Sequence, residues 1–404
     1  MKIALYCREL RFSGGRSVAL GFLNALREID MPHEFIIYAP EDPLYHDLHA
    51  PHMHPFFKEI KGGIRQMLAQ NSLRLELDRD KPTALFMMGN LAYKEAPCPQ
   101  AVLVHNSWIL YPESPAWKSL SVRDRIYYRI RRGLQARSFL TCDAVLAQTP
   151  VVLNRLHDIL DIPYEKMYLM PNSVTPSLIF SEETTASSKR ISALKHSFRA
   201  LCLSRFFPHK NLGILLHVAD ELLKLHRTDI LLITTVNADQ YPGAETFIRY
   251  SQLNHRNEVM LNIGEVPVCE VPSCYHAVDC MLLPTLLESF TGNYPDAMRA
   301  GVPILTSDLD FAHVVCRDAA MYVDPLDAEA IANALIQLAD SKPLRGELVT
   351  AGYRRYSQLS IGWDKIARDT VALLERLAMH ESLPDIKKHP WMMEWNGHGA
   401  HEDV

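Results

Sequence analysis

The sequence predicts an α/β protein of two Rossmann-like, doubly wound parallel-sheet domains facing across a cleft. Two observations carry this. Short, continuous Val/Ile/Leu-rich runs alternate with helical patterns along the chain, and one polar stretch divides those runs into two series. Continuous rather than alternating apolar runs mark strands covered on both faces, which is the signature of parallel sheet. Strand–helix alternation on this scale implies doubly wound architecture.

The first series runs "KIALY", "EFIIYA", "TALFMM", "AVLVH", "AVLAQ" and "MYLMP", and the second "RALCLS", "DILLITT", "VMLNIG", "CMLLP", "PILTS" and "AMYVD". Between them "SEETTASSKR" lacks any apolar period and reads as a linker. The expected organisation is a first domain over 1–180, a linker over 181–195, a second domain over 196–360, a helix over 361–380 and a polar tail over 381–404. The helix has Ile366, Val371, Leu374 and Leu377 at helical spacing and is expected to cross back to the first domain. The tail holds Pro, Gly, His and acids and is expected to be poorly ordered, with "WMMEW" an apolar exception.

A chain of 404 residues, 48% hydrophobic and 22% charged, can bury more than one sizeable core. Its net charge of −5 argues against a general nucleic-acid binder. Eight scattered cysteines with no C-x-x-C pair read as small buried hydrophobes in a reducing compartment. Arg8 and Glu9 come too early for a signal peptide, and no apolar run reaches the roughly 20 residues of a membrane-spanning helix. A cytoplasmic protein is expected.

Ligands in such sheets bind beyond the carboxyl ends of the strands, so three loops matter. After the first strand comes "CRELRFSGGRSVALGFLNAL", where Gly14 and Gly15 precede a helix with Val18, Leu20, Phe22, Leu23 and Leu26 as apolar positions. Paired glycines at a helix start admit a ligand to backbone N–H groups, and the helix dipole favours an anion there. The pattern is not G-x-G-x-x-G, which counts against a nicotinamide oxidoreductase; a glycine turn without a ligand is the alternative. In "ALCLSRFFPHKNLGILLHVADELLKLH", Arg205 and Lys210 occupy the loop before a helix whose apolar face is Leu212, Leu215, Leu216, Ala219, Leu222 and Leu223. Cations beside the positive end of a helix dipole are unfavourable unless an anion is expected, and a diphosphate resolves the conflict. Two solvated surface cations are the alternative.

The third loop is "MLLPTLLESFTGNYPDAMRAGVPILTSD", with Glu288 before and Asp296 inside a short helix expected over about 293–300. Pro295 suits its first turn, Gly301 its C′ position and Pro303 a stop. Carboxylates repel phosphate, so these acids suit sugar or ribose hydroxyls. N–H groups near Thr291, Gly292 and Asn293 suit phosphate oxygens. A capping role, Asn293 as N-cap with Asp296 at N3, competes for Asp296.

These loops resemble the retaining GT-B glycosyltransferases of family 4. "ESFTGNYPDAMRAGVPILTSD" is similar to their E-x7-E segment near a Gly-Val-Pro strand, and "LSRFFPHKNLGILL" to their Arg-x4-Lys diphosphate loop. "LVHNSW" resembles the His-bearing loop of their first domain, "LAQTPVVLNRL" the strand and helix near its end, and "YLMPNSV" the segment leading out of it. The resemblance spans most of residues 1–380. It implies a first domain for the acceptor and a second for a nucleotide diphosphate sugar, GDP- or UDP-linked. It gives Glu288 to the donor sugar's hydroxyls, Arg205 and Lys210 to the diphosphate, and His105 to the sugar or reaction centre. Donor binding would also draw on Gly14, Gly15, Phe290, Thr291, Gly292, Asn293 and Asp296. The family's second glutamate is Asp296 here, one methylene shorter, which puts its reach to the ribose in question.

No cofactor or metal is expected. Asp308 to Asp310, "DLD", follows a second-domain strand and is discounted as a metal site; His52 and His54 in "PHMHPFF" lack further ligands and read as solvated loop histidines. A structural histidine is the alternative for His105. "KSLSVRDRIYYRIRRGLQAR", residues 118–137, sets Lys118 and Arg123, Arg125, Arg129, Arg131, Arg132 and Arg137 against Asp124, beside Ile126, Ile130 and Leu134. It reads either as contact with an anionic membrane surface or as a solvated helix face. The expected function is hexose transfer, with retention, to a saccharide or lipid-linked saccharide in cell-surface polysaccharide assembly. A nucleotide-sugar epimerase and a non-catalytic nucleotide-sugar-binding subunit are the alternatives.

Overall fold

The computed structural model describes residues 1–11, 13–58, 70–173 and 184–393. They form two compact units. The first draws its described residues from Met1–Leu110, Asp124–Thr175 and Ile361–Val404, and the second from Tyr111–Arg123 and Pro176–Ser360.

The first unit is built on a parallel sheet of β1 (Lys2–Tyr6), β2 (Glu34–Ala39), β3 (Met53–Phe57), β4 (Ala84–Met87), β5 (Gln100–Leu103), β6 (Ala144–Ala147) and β7 (Met167–Leu169). Their order is β3-β2-β1-β4-β5-β6-β7. Side chains of β1, β4, β5 and β6 are buried throughout or nearly so, as expected where helices cover both faces. β3 is the element the sequence hides. "MHPFF" carries a histidine and a proline, which a central strand tolerates poorly, but β3 lies at the sheet edge, where a missing N–H costs little. His54 therefore belongs to a strand rather than a solvated loop, and His52 Nε2 lies 2.9 Å from the Leu26 carbonyl.

The helix Trp363–Ala378 packs in this unit. Trp363, Ile366, Val371, Leu374 and Leu377 join one core with Ile3, Leu5, Phe22 and Phe86. Each such burial contributes about 1.5–3 kcal/mol. Part of the tail is also ordered: Ile386, Trp391 and Met392 are buried, and Lys387 Nζ sits 4.6 Å from the centre of the Tyr164 ring. The apolar residues of 381–393 outweigh the polar composition that suggested disorder; 394–404 lie outside the described residues.

The second unit holds β8 (Phe198–Cys202), β9 (Ile230–Thr234), β10 (Met260–Asn262), β11 (Cys280–Leu283), β12 (Ile304–Ser307) and β13 (Ala320–Val323), all parallel, in the order β10-β9-β8-β11-β12-β13. Two features depart from the expected layout. The stretch read as a linker is helical over Ala186–Ser192 because Thr185 and Ser188 form a capping box and Ile191 is fully buried. Residues 181–183 lie outside the described residues. Tyr111–Arg123 also belongs to this unit although the flanking chain belongs to the first. The basic stretch 118–137 is accordingly not one helix: Lys118 sits in the turn Pro115–Ser119, and the helix begins at Val122.

Candidate functional site

In the second sheet β8 and β11 are neighbours, yet the chain leaves them toward opposite edges. Loops diverge at such a switch point and open a crevice beyond the carboxyl ends of the strands. The loop after β8 carries Arg205 and Lys210, and the loop after β11 carries Glu288.

Direct bonds fasten these two loops together. The His209 carbonyl accepts from Leu286 N at 2.8 Å and lies 3.0 Å from Thr285 Oγ1, while Asn293 Nδ2 donates to the Leu203 carbonyl at 2.8 Å. Ser114 Oγ donates to the Leu286 carbonyl at 3.1 Å, so the 111–123 segment braces the same loop. Lys210 ends the 3₁₀ turn Pro208–Lys210, and Asn211 follows in the left-handed region with φ 53°, its side chain donating to the Pro325 carbonyl at 2.7 Å. The helix after the turn starts at Ile214, so Leu212 of the expected apolar face lies in the turn before it.

This geometry brings Lys210 and Glu288 together. Lys210 Nζ donates to Glu288 Oε1, and both side chains are largely buried. Thr285 Oγ1 lies 3.1 Å from the same carboxylate oxygen. Arg205 instead pairs with Glu265, Nη1 to Oε1 at 3.1 Å, and its buried Nε lacks a hydrogen-bond partner. Burial, reinforced by the neighbouring Lys210 charge, pushes the His209 imidazole well below the usual histidine range. Neutral His209 thus leaves Lys210 as the cation that meets Glu288.

The short helix runs Asn293–Ala300, and Gly301 ends it in the left-handed region with φ 68°. Its N-cap is Gly292, which offers no capping side chain, and Thr291 Oγ1 lies 3.4 Å from Asn293 N. Asn293 does not cap because its side chain reaches Leu203, and Asp296 does not cap because it is buried on the inner face. The helix start, reached through Phe290, Thr291 and Gly292, is the kind of terminus that accepts an anion. Asp296 Oδ1 is buried without a partner, and burial raises the carboxyl to about 7, against a smaller lowering from Arg299. The Tyr275 hydroxyl is likewise buried without a partner, and its pKa is raised by burial first and by the Asp296 charge second.

In the first unit, Gly14 and Gly15 lie within the opening turn of the helix Ser13–Glu28 rather than in a loop before it. Helical φ and ψ are open to any residue there, so the glycines leave space and do not form a turn. His105 follows β5. Its Nε2 lies 3.0 Å from the Met88 carbonyl, and burial lowers it to about 4 despite hydrogen bonds to Met88 and Gln148. The imidazole is therefore neutral at pH 7 and donates to Met88. Its backbone N–H donates to Asn90 Oδ1, which also accepts from Asn106 N at 2.7 Å; Asn90 itself is left-handed, φ 64°. Asp308 pairs with His313, and Asp310 accepts from Tyr111 at 3.0 Å, which gives both acids of "DLD" structural partners. Among the described residues no cluster of three or more His, Cys, Asp or Glu is placed to hold a metal ion.

Sequence reasoning missed Thr285, Glu265, Asn90, Gln148 and the 111–123 brace. Their roles depend on which strands adjoin, and no local pattern encodes that.

Residues 184–355 match the family "Glycosyl transferases group 1". Among characterised relatives, the chain is 23% identical over 269 residues to mannosylfructose-phosphate synthase of Agrobacterium fabrum, covering 64% of this chain and 58% of that protein. The chain spans between 28% and 58% of the length of the curated relatives it matches. Sucrose-phosphate synthase from Thermosynechococcus elongatus superposes with a TM-score of 0.71 at 15% identity, covering 94% of this chain and 100% of that one. HepE of Anabaena, solved in complex with UDP and glucose, gives 0.67 at 15% identity, covering 93% and 99%. At these identities the structures establish the fold. The segment 184–355 therefore belongs to the glycosyl transferases group 1 family, and the chain that carries it has the two-sheet α/β GT-B fold.

Proposed function

We propose that the protein transfers a hexose from a nucleotide diphosphate sugar to an acceptor hydroxyl with retention of configuration. The observation that carries this is the meeting of Lys210 and Glu288 at the switch point of the second sheet, inside the segment matched to the glycosyl transferases group 1 family. An ammonium suits a diphosphate and a carboxylate suits sugar hydroxyls, so one such pair addresses both ends of a single donor. HepE's complex with UDP and glucose supports a donor of that class.

As the sugar C1–O bond breaks, its electron pair goes to the leaving diphosphate, and the acceptor oxygen bonds to C1 on the same face. The acceptor's proton passes to the leaving phosphate, so no protein nucleophile is required. Lys210, Arg205 and the N–H groups at the start of the helix Asn293–Ala300 oppose the growing negative charge. Glu288 orients the sugar, while Asp296 is buried near Tyr275. Neutral His105, bonded to Met88 and Gln148, adds no charge. No resident cofactor or metal enters this scheme. Labelled UDP- and GDP-sugars, incubated with and without membrane lipid extract, test it. Acceptor-dependent transfer is expected; acceptor-free isomerisation would make the protein an epimerase, and binding without turnover a non-catalytic subunit.

The acceptor in this proposal is a lipid-linked saccharide of cell-surface polysaccharide assembly, met at the cytoplasmic face of a membrane. The helix Val122–Thr141 supports it. Val122, Ile126 and Ile130 are 71%, 53% and 60% exposed and share one outward stripe, flanked by exposed Arg123 and Arg129. A solvated face would place polar groups there; an apolar stripe between arginines suits an anionic interface. No helix among the described residues is long and apolar enough to cross a membrane. Ile126→Asn combined with Ile130→Asn should reduce cosedimentation with phosphatidylglycerol vesicles several-fold and leave phosphatidylcholine vesicles, which bind weakly, unaffected. Equal binding by native and variant protein would remove this helix from the interface.

A further inference from the structure

We propose that Glu288 is a specificity-determining residue that makes the site prefer an intact sugar donor over the spent nucleoside diphosphate, by holding Lys210 whenever no sugar is present. This rests on the donor site proposed above and concerns how that site tells its substrate from its product.

Lys210 Nζ and Glu288 Oε1 are bonded to each other, with 17% and 10% of their side chains exposed. Thr285 and His209 tie together the two loops that carry this pair. Arg205 is engaged elsewhere, by Glu265. A diphosphate that binds Lys210 draws its ammonium away from Glu288. The carboxylate then loses its cation and gains an anion nearby. It is too buried for bulk water to compensate fully, and an unpaired buried acid is costly.

What repairs the loss differs between the two ligands. An intact donor brings sugar hydroxyls that donate to the freed carboxylate. A nucleoside diphosphate lacks the hexose and its hydroxyls, so its binding leaves Glu288 unsatisfied. Sites built to hydrogen-bond a group reject the analogue that lacks it for this reason. After transfer, the same exchange runs backwards: the sugar departs, Glu288 reclaims Lys210 and the diphosphate is released.

Glutamine at 288 keeps the shape but cannot hold the ammonium as an ion pair. Titration calorimetry with UDP, GDP, UDP-glucose and GDP-mannose, without acceptor, measures the consequence. For the base the protein accepts, Glu288→Gln should tighten nucleoside diphosphate binding by roughly tenfold, the size of one charge-assisted hydrogen bond, and tighten sugar-donor binding much less. Glu288→Ala should move the diphosphate in the same direction, and the gain should vanish when Lys210→Ala is added. An unchanged or weaker diphosphate affinity in Glu288→Gln, an equal gain for the sugar donor, or a gain that survives Lys210→Ala each overturns the inference. If Lys210→Ala alone still weakens the diphosphate, the donor site stands without it. Native protein that binds none of the four nucleotides overturns both.

Discussion

Lys210→Ala should lower the rate of sugar transfer at saturating donor by about 10²–10³, the range seen when one group that stabilises a developing anion is removed. The ammonium is held at the mouth of β8 by the turn Pro208–Lys210 and is largely buried, so water replaces it poorly. Its charge matters more in the transition state than before it, because the diphosphate becomes more negative as the sugar leaves. The fall should therefore appear in kcat as well as in donor affinity. The substitution also strands Glu288 without its cation, and the folded fraction is checked by circular dichroism beside the kinetics. A kcat within threefold of native would show that Lys210 does not face the leaving group.

Asp296→Asn should make the protein more stable than native at pH 8 and progressively less so, relative to native, as the pH falls toward 4. Burial lifts the Asp296 carboxyl to about 7, while an unfolded chain releases that proton near 3.9. Between those values the folded state holds a proton that the unfolded state has lost. The favourable contribution is thus complete below about pH 4 and lost as the pH rises through 7. About three units correspond to an upper bound of about 4 kcal/mol. Asparagine cannot ionise and escapes the loss. His105, lowered to about 4, opposes stability on acidification in both proteins and cancels from the comparison. Urea unfolding at pH 5 and pH 8 measures the difference, and a native-minus-variant stability that does not change with pH would place Asp296 in contact with solvent or a cation.

Most of the fold was legible because buried parallel strands are written as unbroken apolar runs. β1 and β9 are clear examples, since nothing but aliphatic packing suits their surroundings. β3 was not legible, because an edge position relaxes the composition rule that reveals its neighbours. The helix Asn293–Ala300 could be placed from Pro295, Gly301 and Pro303 alone, each acting through local backbone geometry. Its buried carboxyl could not. Whether Asp296 caps, binds or hides depends on what packs against it, here the helix Val271–His276 with Tyr275.

The residues of the candidate site were legible one at a time and illegible as pairs. Arg205 and Lys210 stand five positions apart and look like one anion clamp, yet one meets Glu265 and the other Glu288. The partner acids arrive from loops after β10 and β11, and only strand order decides which lies nearer. Asn90 and Gln148 escaped notice for the same reason: their loops follow β4 and β6, on either side of the β5 loop that bears His105.

The excursion of Tyr111–Arg123 out of the first unit limits how the molecule can be dissected. A chimaera spliced at a single junction near residue 180 would inherit that piece from one parent and the β11 loop it fastens from the other. Swapping donor preference between relatives by such a splice should disappoint unless the 111–123 piece travels with the second half.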